Sequence, residues 1–450
     1  MRIWLLIGCL WLVVAPVPAQ EKSSERVATV VNTPGCVAVW DFVKREEGGG
    51  RRFLAHVPAF GREAEKAGKA GEAAPNEYPL DAGNYVRDFW GEGRAACYDD
   101  FPLLGRGPFG EAVRIRPEAD PNFRPFLYVP RDRLHDTPLD IKGAGKSVTV
   151  VVWAIRESGN HALAGIWHEG TDLKQDSTAG IQKVQRGQRQ YALFAGLNKE
   201  GSACGHVSEN GASSFLNRYA LHKCNSADVS PKVAADAPAE TLDAAWRCFA
   251  MTFDHERDQL TGWLDGRAGD RWLENPQQDN LLKFAANAWL QGHLRREPGL
   301  QPGEDVKFPA DQFYNPPEET PVAVKVLSET ESERVELREY GYTKVKTTLA
   351  KRDGEKAGGE RMAGEWQVRG RELVGIRLNP WWYPHDIYTP ANDGTGGPFT
   401  IGRVIHSSKS VGFTGWIGGV AVFDRALDEA ELKKLTELGS KPVRAGKSGL

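Results

Sequence analysis

The sequence predicts an all-β protein, a two-sheet antiparallel sandwich with one short C-terminal helix and a long insertion. Three observations lead there. Short runs rich in Val, Ile, Phe, Tyr and Trp recur between clusters of Gly, Pro and Asn. One of these runs, Val148-Thr-Val-Val-Val-Trp-Ala-Ile155, is apolar on both faces, which suits a strand lying between two packed layers. Only one segment, near the C-terminus, carries both the spacing and the caps of a strongly signalled helix.

The chain opens with Met1-Arg2, an apolar run from Ile3 to Val14, and Ala15-Pro-Val-Pro-Ala19, with small residues where a cleavage site needs them. This reads as a signal peptide over residues 1–19, removed after Ala19, and predicts an exported protein in the periplasm, on the cell surface or outside the cell. The apolar run is too short to cross a bilayer, which takes about 20 residues, and it ends in prolines. Leu6-Ile7-Gly8-Cys9 fits a lipid-attachment signal only formally, because the apolar stretch continues past Cys9.

Val37-Ala-Val-Trp40-Asp-Phe42 reads as the first strand, and residues 61–75, an Ala, Gly, Glu and Lys tract with no aromatic residue, as a solvated loop. Further strands are expected at Ala112–Ile115, Phe126–Val129, Tyr191–Leu197, Trp246–Phe253 and Gln259–Leu264, with Asp265-Gly266 as a tight hairpin turn. Residues 298–317 are Pro-rich and Val322–Leu349 alternates β-formers with charges. Residues 273–397 are therefore read as an insertion with an extra hairpin or small sheet, and 28–272 with 398–440 as the sandwich itself. In the terminal helix Asp428 is the N-cap and Glu431 completes a capping box. Leu427 and Leu432 form the hydrophobic staple, Leu432, Leu435 and Leu438 the apolar stripe, and Gly439 and Pro442 the stop.

A formal charge of −3 over 450 residues, with a pI near 6.4, leaves no basic surplus for phosphate backbones. Nucleic acid is not an expected partner, and no later segment is long enough to span a membrane. Of the cysteines, Cys36, Cys97, Cys204, Cys224 and Cys248 follow the cleavage site, too widely spaced for a zinc cluster. Cys204 and Cys224 flank a Gly, Ser and Asn-rich loop, and a disulfide between them would contribute about 3 kcal/mol on the chain-entropy model. The odd number leaves a thiol over, and the alternative is that the cysteines serve as small buried apolar residues.

Three passages carry a resemblance: Lys146–Ile155 (KSVTVVVWAI), Ala245–Arg267 (AWRCFAMTFDHERDQLTGWLDGR), and Phe399–Leu435, with FTIGRV and FTGWIGGVAVFDRALDEAELKKL. In this order they resemble the laminin-G-like, concanavalin A-like lectin and glucanase superfamily. The resemblance implies a jelly-roll connection of the two sheets and a carbohydrate or cell-envelope polymer as partner. It covers Cys36–Phe42 and, with gaps, Gly110–Leu438. Many relatives carry an acidic pair after the Gly-aromatic-Ile strand; here Gly418 and Gly419 stand there, so no cofactor is expected and calcium, common in the superfamily, loses a candidate ligand.

The retaining glucanases of this fold need two carboxylates about 5 Å apart, written Glu-x-Asp-x-x-Glu. Neither Glu118-Ala-Asp120 nor Glu256-Arg-Asp258 completes that pattern. Arg334-Val-Glu-Leu-Arg338 and Val404-Ile-His406 are similar to two motifs of jelly-roll alginate lyases, but the third motif's echo, Tyr191–Asn198, falls in the wrong order. His161 and His168 match no metal-ligand spacing, and neither a nucleophile elbow nor a phosphate loop is present.

The most aromatic stretch is Trp381-Trp382-Tyr383-Pro-His385-Asp386-Ile-Tyr388, leading into Asn392-Asp-Gly-Thr-Gly-Gly397. Aromatic faces beside polar hydrogen-bonding groups suit sugar rings, so Trp381, Trp382, Tyr383, His385, Asp386 and Tyr388 are the candidate ligand-binding residues. The other reading is that they pin the insertion to the sandwich. The expected function is non-catalytic recognition of a glycan. A polysaccharide lyase or hydrolase, and an adhesion protein contacting another protein, are the alternatives, since fold alone does not fix function.

Overall fold

The computed structural model describes residues 19–47, 51–58, 77–116, 119–159, 161–169, 187–197, 199–208, 211, 224–257, 259–269, 272–274, 320–340, 343–355, 361–377, 386–391, 396–405, 412–440 and 442–444. The first strands are β1 (Cys36–Trp40), β2 (Asp81–Asn84), β3 (Arg106–Gly107), β4 (Val113–Ile115), β5 (Pro125–Val129), β6 (Val148–Ser158) and β7 (Ala162–His168). They continue with β8 (Gln188–Phe194), β9 (Cys204–Val207), β10 (Arg247–Asp254), β11 (Gln259–Leu264) and β12 (Arg267–Ala268). Next come β13 (Trp272–Glu274), β14 (Ala323–Glu329), β15 (Glu333–Glu339), β16 (Thr343–Glu355) and β17 (Arg361–Arg377). The chain then returns through β18 (Phe399–Ile401), β19 (Thr414–Phe423) and β20 (Val443–Arg444).

The protein is an all-β sandwich. Its first sheet runs β1-β19-β6-β10-β11-β12, with β4 also on β19, and its second runs β2-β5-β18-β7-β8-β9. Both sheets are antiparallel throughout. The late strands β18 and β19 sit in the middle of sheets begun far earlier, which ties the C-terminal region into the core. Strand β6 shows why an unbroken apolar run belongs there: Val148, Val150 and Val152 join the core between the sheets, while Val151 and Trp153 point outward into a second cluster under two helices. Phe249, Met251 and Phe253 of β10 share the inter-sheet core with Tyr191, Leu193, Phe399 and Ile401 of the second sheet. Each such side chain contributes about 1.5–3 kcal/mol by leaving water.

The C-terminal helix, Glu429–Gly439, forms with its capping box made: Glu431 N donates to Asp428 Oδ1 at 2.9 Å and Asp428 N to Glu431 Oε2 at 3.0 Å. The stop differs from expectation. Gly439 is the last helical residue, Ser440 is the cap, and a Cβ at Gly439 would run into the Trp153 indole, whose Nε1 donates to Leu435 O at 3.1 Å. This glycine is needed for clearance. The sequence also concealed a helix at Ala19–Val31, whose Val27 and Val30 pack with Val39, Trp153 and Leu432 over the first sheet. Short helices at Tyr85–Trp90, Arg131–Leu134 and Ala239–Ala245 occupy connections.

Asp265 and Gly266 turn the β11–β12 hairpin with φ of 50° and 72°, the positive angles a type I′ turn demands. Between β12 and β18 lies a separate antiparallel sheet in the order β13-β17-β16-β15-β14, with Val345, Thr347 and Leu349 buried on one face. Residues 61–75, 298–317 and the first 18 residues lie outside the described residues. Among the described residues no helix is long and apolar enough to cross a membrane.

Candidate functional site

Segments flanking strands of both sheets, before β6, after β10 and around β8 and β9, converge on the segment Asp386–Tyr388. Ile387 is 1% exposed and forms a two-way backbone bridge with Gly143: Gly143 N donates to Ile387 O at 2.7 Å, and Ile387 N returns a bond at 3.4 Å. Tyr388 N donates to Ser208 O at 2.7 Å. The alternation of an extended chain then turns the flanking side chains the other way. Asp386 Oδ1 accepts from His255 Nε2 at 2.9 Å and from Gly145 N at 3.4 Å, and the Tyr388 hydroxyl donates to Gln188 Oε1 at 3.3 Å. Gly211 faces the Tyr388 ring, where a Cβ would come within 2.8 Å, and its φ of +78° adds a second reason for glycine. The Asp386 side chain is 42% exposed and that of His255 25%.

A buried ion network stiffens the ground beneath this rim. Arg131 holds Asp140 through two bonds of 2.7 and 2.9 Å, and Lys142 Nζ donates to Asp140 Oδ2 at 2.6 Å. Gln190 Nε2, from β8, donates to Ile141 O at 3.0 Å and reaches Asp140 Oδ1 at 3.3 Å. Burial alone would raise the Asp140 carboxyl, but the bonds from Arg131 and Lys142 outweigh it and hold it below the ordinary carboxylate range. The segment 131–142 is thereby clamped to the strand that presents Gln188.

Of the sequence-predicted ligand residues, Asp386 and Tyr388 meet at this rim. Trp381, Trp382, Tyr383 and His385 lie outside the described residues. His255, Gln188 and the Asp140 network were not anticipated, and no local pattern marks them. Cys204 and Cys224 come together, since Cys204 bridges to Asn225, yet they stand as thiols and not as the expected disulfide. Both sulfurs address one acceptor, with Cys224 Sγ donating to Gly205 O at 2.9 Å and Cys204 Sγ at 3.9 Å from the same oxygen. Gly418 and Gly419 have a packing reason: a Cβ there would meet Trp246 at 2.8 Å and Phe109 at 2.6 Å. His161 is buried in edge contact with Phe194, and His168 ends β7. The lyase-like arginines both bind one carboxylate, with Arg334 Nε 2.9 Å and Arg338 Nε 2.8 Å from Glu336.

No protein-family model matches this sequence. No curated protein matches it. Among solved structures, the chain is similar to domain 4 of AbnA, a GH43 extracellular arabinanase from Geobacillus stearothermophilus, in complex with arabinotriose, at 9% identity and a TM-score of 0.30 over 80% of this chain and 88% of that one. It is also similar to the botulinum neurotoxin serotype D/C binding domain, at 6% identity and a TM-score of 0.29 over 90% and 52%. A third is the sialidase of Trypanosoma rangeli in complex with 2,3-difluorosialic acid, at 9% identity and a TM-score of 0.32 over 93% and 37%. Similarity at this level assigns nothing to the present chain.

Proposed function

We propose that this is an exported, non-catalytic carbohydrate-recognition protein that binds a glycan or cell-envelope polymer across the rim built on Asp386 and Tyr388. The observation that carries the reading is the bridging of Ile387 to Gly143, which fixes the backbone while leaving the Asp386 carboxylate and the Tyr388 ring half-exposed on either side. A sugar needs that combination of hydrogen-bonding groups beside an aromatic face, held in place before the ligand arrives. The Trp381-Trp382-Tyr383 run, which precedes Asp386 in sequence, would add further stacking surfaces.

A glycan-array screen of the protein from Gln20 onward tests this, with calcium and with a chelator, beside a Trp381→Ala/Trp382→Ala variant and an Asp386→Ala/Tyr388→Ala variant. Specific binding that both variants lose supports the reading. Binding that both retain moves the site elsewhere, and no binding to any glycan overturns it.

A further inference from the structure

A second cleft lies at the other edge of the same sheet. Phe53 bridges both to Arg45 and to Leu80, which lays the chain carrying Glu46, Arg51 and Arg52 alongside β2. With Asp81, Tyr98 and Tyr128 these residues line an open cleft of ≈ 540 Å³, within the size range of small-ligand sites. Strands β5, β18 and β7 separate it from β8 and the Asp386 rim.

Its charges are already matched. Arg52 Nε donates to Asp81 Oδ1 at 2.8 Å and its Nη1 to Glu46 at 3.1 Å; Arg133 holds the other Asp81 oxygen, and Arg51 donates to Asp99 at 3.1 Å. An ionic ligand would therefore have to displace an existing partner. A neutral polyol meets no such cost, because a carboxylate in an ion pair keeps lone pairs and a guanidinium keeps N–H groups for hydroxyls. Tyr98 and Tyr128 stand on the walls, with the Tyr98 hydroxyl anchored on Leu80 O at 2.8 Å and both rings half-buried. Burial pushes the Tyr128 phenol up to about 12, so it stays a neutral donor and acceptor.

From this charge balance and these two rings we infer that the cleft is a second saccharide subsite, selective for a neutral sugar over a uronate or other acidic one. The inference rests on the carbohydrate-recognition reading and is independent of the Asp386 rim.

Cys97 supplies the test. It lines the cleft and is exposed, whereas Cys36, Cys204, Cys224 and Cys248 are buried. Iodoacetamide alkylation of Cys97 is followed by peptide mass spectrometry in the full-length chain, with xylotetraose, cellotetraose, mannotetraose, galactotetraose or trigalacturonate, each titrated in parallel by calorimetry. A neutral tetrasaccharide at about ten times its Kd should slow Cys97 alkylation by about tenfold. The protection, read as the ratio of rates without and with sugar in each variant, should persist in Asp386→Ala and fall in Arg51→Ala, which removes the exposed ion pair with Asp99 and a cation close to Cys97. Calorimetric binding that leaves the Cys97 rate unchanged, or protection by trigalacturonate alone, overturns the second subsite and leaves the first standing. No binding by any of the five sugars overturns both.

Discussion

The carboxylate of Asp386 and the imidazole of His255, which follows β10 of the first sheet, lie 131 positions apart in the chain and meet at 2.9 Å. Because an ionised carboxylate only accepts, the imidazole must donate through Nε2. The pair fixes the Asp386 side chain while leaving it open to solvent. Replacing His255 by Ala should weaken glycan binding about threefold to tenfold by freeing Asp386 to rotate, on the scale of one hydrogen bond. Calorimetry and a thermal melt separate that loss from unfolding, since His255 is partly exposed and the Tm should change little.

The Asp140 network should matter for stability more than for contact with ligand. Asp140→Asn would leave Arg131 and Lys142 beside a neutral amide, and breaking a buried ion pair costs about 3–5 kcal/mol. The lower end applies, because Lys142 keeps some access to water. Chemical denaturation measures it, and an unchanged midpoint would contradict the assignment.

The same carboxyl sets the direction of acid sensitivity. Bonds from Arg131 and Lys142 hold Asp140 below its ordinary 3.8, and Arg94 and Arg425 lower Asp100 and Glu431 in the same way. A carboxyl lowered in the folded state contributes stability that is fully present above its unfolded value and is lost as pH falls through the folded one. The Tm should therefore hold down to about pH 5 and decline below it, and Asp140→Asn should decline less steeply.

Gly439 gives a test in the first sheet's helical cover. Alanine at a helix end gains at most about 1 kcal/mol of propensity over glycine, while forcing a methyl against a buried indole costs about 1–3 kcal/mol. Gly439→Ala should therefore destabilise the protein even though helix propensity alone predicts the reverse. A denaturant midpoint decides between them.

Cysteine reactivity should follow burial. Burial pushes Cys36 and Cys248 up to about 12, so at pH 8 they remain thiols and resist alkylation, while exposed Cys97 reacts. Peptide mapping before and after denaturation shows whether that order holds.

What the sequence made legible was local. The apolar run of β6, the turn at Asp265-Gly266 and the capping box at Asp428 all depend on residues within a few positions of one another, and all three are in place. The Ala19–Val31 helix was hidden because its apolar stripe is narrow among Glu, Lys, Ser and Arg, and it becomes a packing element only once Trp153 and Leu432 lie beneath it. Gly439 read as a stop signal because its real constraint, the Trp153 ring, comes from far up the chain. Asp386 and Tyr388 were flagged by aromatic density, but His255, Gln188 and Gly143 reach them only through the fold. Cys204 and Cys224 were expected as a disulfide from their place around one loop; they lie close, but as thiols.

The most direct test is calorimetric titration of a glycan selected on the array against the wild type, Asp386→Ala and Tyr388→Ala, each confirmed folded by its melt. The predicted result is specific binding by the wild type that both substitutions weaken at least tenfold, about 1.4 kcal/mol each. Equal affinity in all three proteins would contradict the Asp386 rim as the site of recognition.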